Sequence, residues 1–438
     1  MSGLPLLPVV LWSDALLFAL LAAVVALALW ARAQPALRLA WRRVAADPVA
    51  MVSATVLAAF LLVGLLDSLH YRARLPELPG QTTQAHYAVE VTSALDALLA
   101  PLRLQTEKTY SAPLATHLFA KEALADSPLR DFPRLIWGGA HLGEHLERHA
   151  NDVLQRAALG LGGGVLAWLT LMWIVRRVCR ARRVHHGLHA KVGDGETAVV
   201  ANATDDRADR TERGPPPAWR AILGTLLVLC LLAGLTVALA GGYHVLGTDK
   251  VGQDVLYLSL KSIRTGLLIG TLTTLVTLPL AVLLGIFAGF AGGWVDDVVQ
   301  YLYTTLNSIP GVLLIAAAVL MMQVLIDNHP GWFDTAAERA DARLLALCLI
   351  LGMTSWTGLA RLLRGETLKL RELEYVQAAR AFGVGPLTIM RRHILPNLMH
   401  IVLISLVMDF SSLVLAEAVL SYVGVGVDPT TISFGTMI

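Results

Sequence analysis

Eight stretches of about 20 mostly apolar residues run through this chain, over 9–30, 49–66, 153–175, 219–240, 266–288, 309–326, 344–363 and 398–420. Each is long enough to cross a hydrocarbon layer about 30 Å thick. A backbone surrounded by lipid must satisfy its own hydrogen bonds, and stretches of this length do so as helices. The expected fold class is therefore all-α, a polytopic transmembrane helix bundle with a helical extracytoplasmic insertion over 67–152. Composition agrees, since 55% of the 438 residues are hydrophobic and only 16% charged, with mean hydropathy +0.61. Soluble domains of that size rarely show such a balance.

The first stretch is followed by the small residues Ala31 and Ala33, as at a signal-peptide cleavage site, but basic residues come only after it, so it reads as a retained span. Arg32, Arg38, Arg42 and Arg43 follow the first span, Arg176, Arg177, Arg180, Arg182 and Arg183 follow the third, and Arg361 to Arg392 surround the loop before the last. Strict alternation puts all three groups on one face, which the positive-inside rule makes cytoplasmic. The N-terminus, residues 67–152, residues 241–261 and Ile438 then lie outside. A net charge of +2 gives no basis for nucleic-acid binding. Cys179, Cys230 and Cys348 are too scattered for a disulfide framework or a zinc site.

One polar, basic segment between two apolar runs, EYVQAARAFGVGPLTIMRRHILPN over 374–397, has the form of an elbow. An Ala-rich helix stops at Gly383, Pro386 opens a second short helix, and Pro396 opens the last span. Ala378 and Ala379 give a slim face that a second protein can approach closely, and Arg380, Arg391 and Arg392 offer donors to acidic groups. The competing reading is a solvated loop whose arginines only enforce topology.

This segment resembles the EAA loop of ABC importer permeases. Three further blocks in the same order, LGTDKVGQDVLYLSLKSIRTGLLIG, AGFAGGWVDDVVQYLYTTLNSIPGVLL and LAEAVLSYVGVGVDPTTISFGTMI, resemble the C-type permease subunit of dipeptide, oligopeptide and nickel importers. A fragment from Trp41 to Leu66 resembles that family's first span, so about half the chain is covered. The resemblance implies an ATPase-coupling loop that includes Glu374, Gln377, Ala378, Ala379, Gly383, Pro386 and Pro396. It also implies an outer loop with Gly247, Thr248, Asp249, Gly252 and Asp254, a bacterial inner-membrane location and transport of short peptides, with nickel or a metal chelate as the alternative cargo. The implied partners are a second permease, two cytoplasmic ATPase subunits or domains that use ATP and Mg, an extracytoplasmic substrate-binding protein and the bilayer. No cofactor is expected on this chain, which has no GxxxxGK[ST] phosphate loop. ATP hydrolysis is assigned to partners, and transport to alternating access.

The departures are specific. Gln377 stands at the first Glu of the general pattern, Gln253 replaces a usual Arg, two extra spans and an outer segment precede the GTD block, and the chain stops at Ile438 where the family continues through one more span. The expected organisation is 1–66 as N-terminal spans, 67–152 as the insertion, 153–240 as two extra spans around a flexible linker at 176–218, and 241–438 as the permease core.

Within the spans, Gly285, Gly289 and Gly293, and likewise Gly160 and Gly164, recur at the four-residue spacing that lets membrane helices approach closely. Pro279 lies inside a span as a kink or a tolerated residue. Asp409 lies inside an apolar span at a cost of at least about 2.5–3.5 kcal/mol. With Glu417, eight residues on and read as nearly on the same face, it is a candidate for the translocation pathway, and a structural, hydrogen-bonded acid is the alternative. Residues 254–265 read as an amphipathic segment along the outer surface that then turns into the membrane, and Gly247 to Asp249 as a turn and helix cap. HLGEHLERH is expected to place His141, His145 and His149 along one helix as candidate metal ligands or as a plain solvated face. Its HxxEH pattern, with Glu144 as base, also raises a membrane-anchored zinc metallopeptidase, which leaves the elbow unexplained. An ion-coupled carrier or channel is a third class.

Overall fold

A computed structural model describes residues 6–74, 87–123, 130–143, 145–190, 218–333, 335–428 and 430–437. Among these residues seven helices are long and apolar enough to cross a membrane, or eight if one bent pair counts as a single span. The fold is the all-α polytopic bundle expected. Its long helices are α1 (Trp12–Ala33), α3 (Pro48–Asp67), α6 (His149–Ala190), α7 (Trp219–Ala240), α8 (Val255–Ala291), α11 (Ala336–Leu370) and α14 (Leu395–Tyr422), with the basic α2 (Pro35–Ala46) between the first two.

Four expectations change. The sixth span is α10 (Gly311–Asp327), preceded by the amphipathic α9 (Gly293–Ser308) at a bend of 87°. Pro310 sits at that bend, where the missing N–H and the fixed φ of proline stop one helix and start the next. Residues 255–265 are not a separate segment before the span; they are the first three turns of α8, which continues through Pro279 for 37 residues. At 1.5 Å per residue α8 is about 55 Å long, so it projects well beyond a hydrocarbon layer. The third span continues as helix to Ala190, so the first part of the expected linker is helical, while residues 191–217 lie outside the described residues.

The insertion also differs. Among its described residues between α3 and α6 only α4 (Ala94–Leu98) and α5 (Ala100–Leu104) are α-helical; the rest is short strands, bridges, turns and 3-10 helix. Pro101, Pro113, Pro133 and the left-handed glycines Gly139 and Gly143 break up any longer helix.

The chain forms two compact units. The first comprises Met1–Phe18, Val63–Leu98 and Leu258–Ile438. Here β1 (Leu6–Val9), β2 (His70–Ala73) and β3 (Thr92–Ser93) form an antiparallel sheet in that order, with Val9 opposite His70 and Tyr71 opposite Thr92. Its helices pack closely at small residues. A Cβ on Gly285 would stand 2.6 Å from the Ala360 carbonyl, and one on Gly289 2.7 Å from that of Arg364. Gly293, the third member of the repeat, opens α9 with φ +56° and has nothing beside it. The second unit comprises Ala19–Leu62 and Leu99–Tyr257. In it α6 and α7 cross at Gly160, Gly164 and Gly234, and a Cβ on Gly234 would lie 2.4 Å from the Gly160 carbonyl. Removing side chains at such a crossing lets backbones touch, which is how helices gain dispersion contacts in lipid.

Candidate functional site

The elbow belongs to the first unit. Its first helix, α12 (Glu374–Ala381), ends at Gly383, whose φ of +77° is a left-handed C-cap where a side chain would be strained. The second, α13 (Pro386–Ile389), runs into a π-turn over Met390–Ile394 and then into α14. Pro396 therefore does not open a separate span. It lies in the first turn of α14 on a helical path continuous from Pro386 to Tyr422. A proline ring collides with the carbonyl four residues back, and the wider π-turn just before it relieves that crowding.

The elbow is held from within. Val376 and Ile394 are fully buried and Ile389 nearly so, in one core cluster with Leu363 and Leu398. Asn397 donates from Nδ2 to the Tyr375 hydroxyl at 3.0 Å, tying the two arms together. Beneath it Arg364 grips Asp296 through two hydrogen bonds, one of 2.6 Å, and Arg371 donates to the Gly289 carbonyl at 3.1 Å. On the opposite face Phe382 is 87% and Leu387 73% exposed, and Glu374, Gln377, Ala378 and Pro386 are exposed beside them. Of the two alanines only Ala378 offers an outward slim face, because Ala379 packs against the core cluster. Arg380 stacks over Phe290 at 5.1 Å, and Gln377 donates to the Glu372 carbonyl at 3.1 Å.

The outer loop lies in the second unit and is built in the opposite manner. Asp254 caps α8, accepting from the Leu256 N–H at 2.8 Å, and its other oxygen takes a hydrogen bond from His244 Nδ1 at 2.7 Å. His244 Nε2 faces Glu107 at 3.4 Å, and Glu107 in turn accepts from the N–H groups of Ile136, Trp137 and Gly138 at 2.8, 2.7 and 3.2 Å. Burial opposes the charge on His244, but the hydrogen bonds and charges of Asp254 and Glu107 outweigh it and raise its pKa to about 9. Burial would likewise raise Glu107, yet His244 and the backbone N–H groups hold it below the ordinary carboxylate value. Thr248 donates to the Thr109 carbonyl at 2.8 Å, and Gly252 accepts from the Glu107 N–H at 2.8 Å. Gly247 and Gly252 have φ +79° and +82°, and a Cβ on Gly252 would sit 1.8 Å from the Glu107 carbonyl oxygen. Asp249 closes the turn by accepting from the N–H groups of Val251 and Gln253. Gly247 to Asp249 is thus a turn, as expected, while the helix cap falls at Asp254. Sequence reasoning missed His244 and Glu107. A histidine and an acid separated by 137 positions carry no local signal of their pairing.

The three candidate metal ligands do not share a helix. His141 lies in a 3-10 turn, Gly143 reverses the chain, His145 precedes a second 3-10 turn over Leu146–Arg148, and α6 begins only at His149. His141 contacts Asp152 at 2.7 Å and His149 donates to the Leu114 carbonyl at 3.0 Å, both rings standing edge-on to Tyr243. Among the described residues no cluster of three or more His, Cys, Asp or Glu could hold a metal, and Glu144 lies outside them.

The two acids of α14 also part company. Eight residues turn an ideal helix about 80° past two full turns. Glu417 is 1% exposed, accepts from the Ser421 hydroxyl at 2.6 Å and is locked into the turn that follows the helix. Asp409 is half-buried beside a small cleft, and no side-chain partner meets its carboxylate among the described residues.

These features define a multi-pass helical membrane protein with a polar, basic elbow ahead of its last long helix. Residues 281–438 match the family described as binding-protein-dependent transport system inner membrane component. The oligopeptide transport system permease protein OppC of Mycobacterium bovis is 31% identical over 198 residues, 45% of this chain and 62% of that protein. The dipeptide transport system permease protein DppC of Bacillus subtilis is 29% identical over 194 residues, 44% and 55% of the two chains. The peptidoglycan transport system permease protein YejE of Agrobacterium fabrum is 35% identical over 200 residues, 45% and 47% of the two chains. The C-terminal part of the chain is thus similar to permease proteins of binding-protein-dependent transport systems, and the chain spans less than two thirds of the length of these relatives.

Proposed function

We propose that the chain is the permease subunit of an ABC importer for short peptides in a bacterial inner membrane. With a second permease it forms the translocation pathway, and its elbow docks on one of two ATPase subunits that bind ATP and Mg, while a substrate-binding protein delivers cargo from outside. The single observation that supports coupling is the two-sided elbow: one face anchored through Val376, Ile389 and Ile394, the other leaving Phe382, Leu387 and Ala378 exposed at a left-handed turn. An anchored lever with an apolar tip transmits rigid-body motion to the helices it caps. The relatives named for oligopeptide and dipeptide transport support the cargo class. The test is uptake of a labelled dipeptide by vesicles holding the complete assembly. Uptake needs ATP and stops when Ala378→Trp blocks the exposed face, with protein abundance unchanged. Uptake that persists without the ATPase subunits, driven by an ion gradient, assigns the chain to the carriers instead.

A further inference from the structure

Asp409 sits near the middle of the 28 residues of α14, and therefore near the middle of the membrane. Glu417 on the same helix is buried and hydrogen-bonded, whereas the Asp409 carboxylate faces a small cleft walled by Thr274, Thr277, Leu278, Leu359 and Leu406. All of these residues lie in the first unit. The cleft is framed by close helix crossings, since a Cβ on Gly270 would strike the Phe410 ring at 2.3 Å and one on Gly352 would meet Val276 at 2.6 Å.

The polar groups of the cleft all have the same sense. Thr274 donates its hydroxyl proton to the Gly270 carbonyl at 2.6 Å, and Thr277 donates to the Gly352 carbonyl at 3.2 Å. With those protons committed, the two hydroxyl oxygens retain only lone pairs to offer a guest, and the ionised carboxylate is an acceptor as well. Acceptors without donors repel an anion and suit a group rich in N–H. An ammonium carries three such donors and a positive charge.

We propose that Asp409, with Thr274 and Thr277 beside it, is a midplane binding site for a side-chain ammonium of the cargo, so that this permease favours cationic peptides. The assignment rests on the importer reading above. A cation resting there neutralises the carboxylate and makes its position in an apolar span tolerable during passage.

The test compares two cargoes in the same vesicles, with the complete assembly and its binding protein: a lysine-bearing and a glutamate-bearing tripeptide. Asp409→Asn lowers the lysine-to-glutamate uptake ratio about tenfold, while Asp409→Glu keeps it. Thr274→Val, which removes one acceptor and leaves the carboxylate, lowers the same ratio by about threefold. An equal fall for both peptides, or a ratio unchanged in Asp409→Asn and Thr274→Val, overturns the site and leaves the importer reading standing. Wild-type vesicles that take up neither peptide with ATP overturn both.

Discussion

At the elbow, Phe382 and Leu387 are left 87% and 73% exposed on a frame whose inner residues are fully buried. At the outer loop, Thr248 and Asp254 are 4% and 3% exposed, and their polar atoms are bound by other residues of the same unit. One region is finished on one side only, so its outward face suits a separate protein. The other has its polar atoms satisfied within the chain, by Glu107, Thr109 and Ser111 of the insertion. The contrast teaches that a family-like motif marks a position in a fold, and that burial and hydrogen bonding decide whether the position is free to meet anything else.

The largest expected effect breaks the closed region. Glu107→Ala leaves His244 and three backbone N–H groups without their acceptor in a buried site, and about 3–5 kcal/mol of stability is lost. Thermal unfolding in detergent measures it; an unshifted transition would mean the clamp contributes nothing. Gly252→Ala comes next. Its φ of +82° alone costs about 1–3 kcal/mol, and the clash with the Glu107 carbonyl adds to that. Protease sensitivity of the outer segment, compared with wild type, reports it.

The pH dependence sharpens the same contrast. The His244 pKa is raised from 6.5 to about 9 on folding, so its contribution is complete below pH 6.5 and disappears as pH rises through 9. Glu107, lowered from 4.5, contributes above that pH and loses its contribution as pH falls below it. The outer clamp is therefore most stable between these limits. His244→Gln flattens the alkaline limb of a melting-temperature profile, and a wild-type profile level from pH 6 to 10 would contradict the ion cluster. The smallest effect is at the elbow, where Gly383→Ala meets no neighbour and costs only the left-handed conformation, about 1–2 kcal/mol. Its stability shift is slight, while coupled uptake falls more steeply, because the strained turn now favours other φ values and loosens the angle between the elbow's arms.

Much of this was legible in the chain itself. Apolar runs of membrane length located the spans, since lipid leaves the backbone no other way to pair. Gly383 and Pro386 mark the elbow because glycine permits the positive φ of a reversal and proline fixes φ at a helix start. The outer segment was misread as helical: its local pattern did not reveal that Gly143 reverses the chain between His141 and His145. Asp409 and Glu417 look alike as intramembrane acids, and only the hydrogen bond from Ser421, one turn further along α14, separates a satisfied carboxylate from an open one. Pairings across more than a hundred residues, such as Glu107 with His244, leave no trace at either position alone.

The central claim is that the elbow's exposed face meets a nucleotide-hydrolysing partner. Single cysteines at Phe382, Leu387 and Ala378, and controls at the buried Val376 and at Thr248 of the outer loop, can be crosslinked in membranes that contain the whole assembly. The account predicts that the three exposed elbow positions capture the ATPase subunit, with a yield that changes on ATP binding, and that both controls do not. Well-expressed protein whose elbow cysteines never capture that subunit, in any nucleotide state, would contradict it.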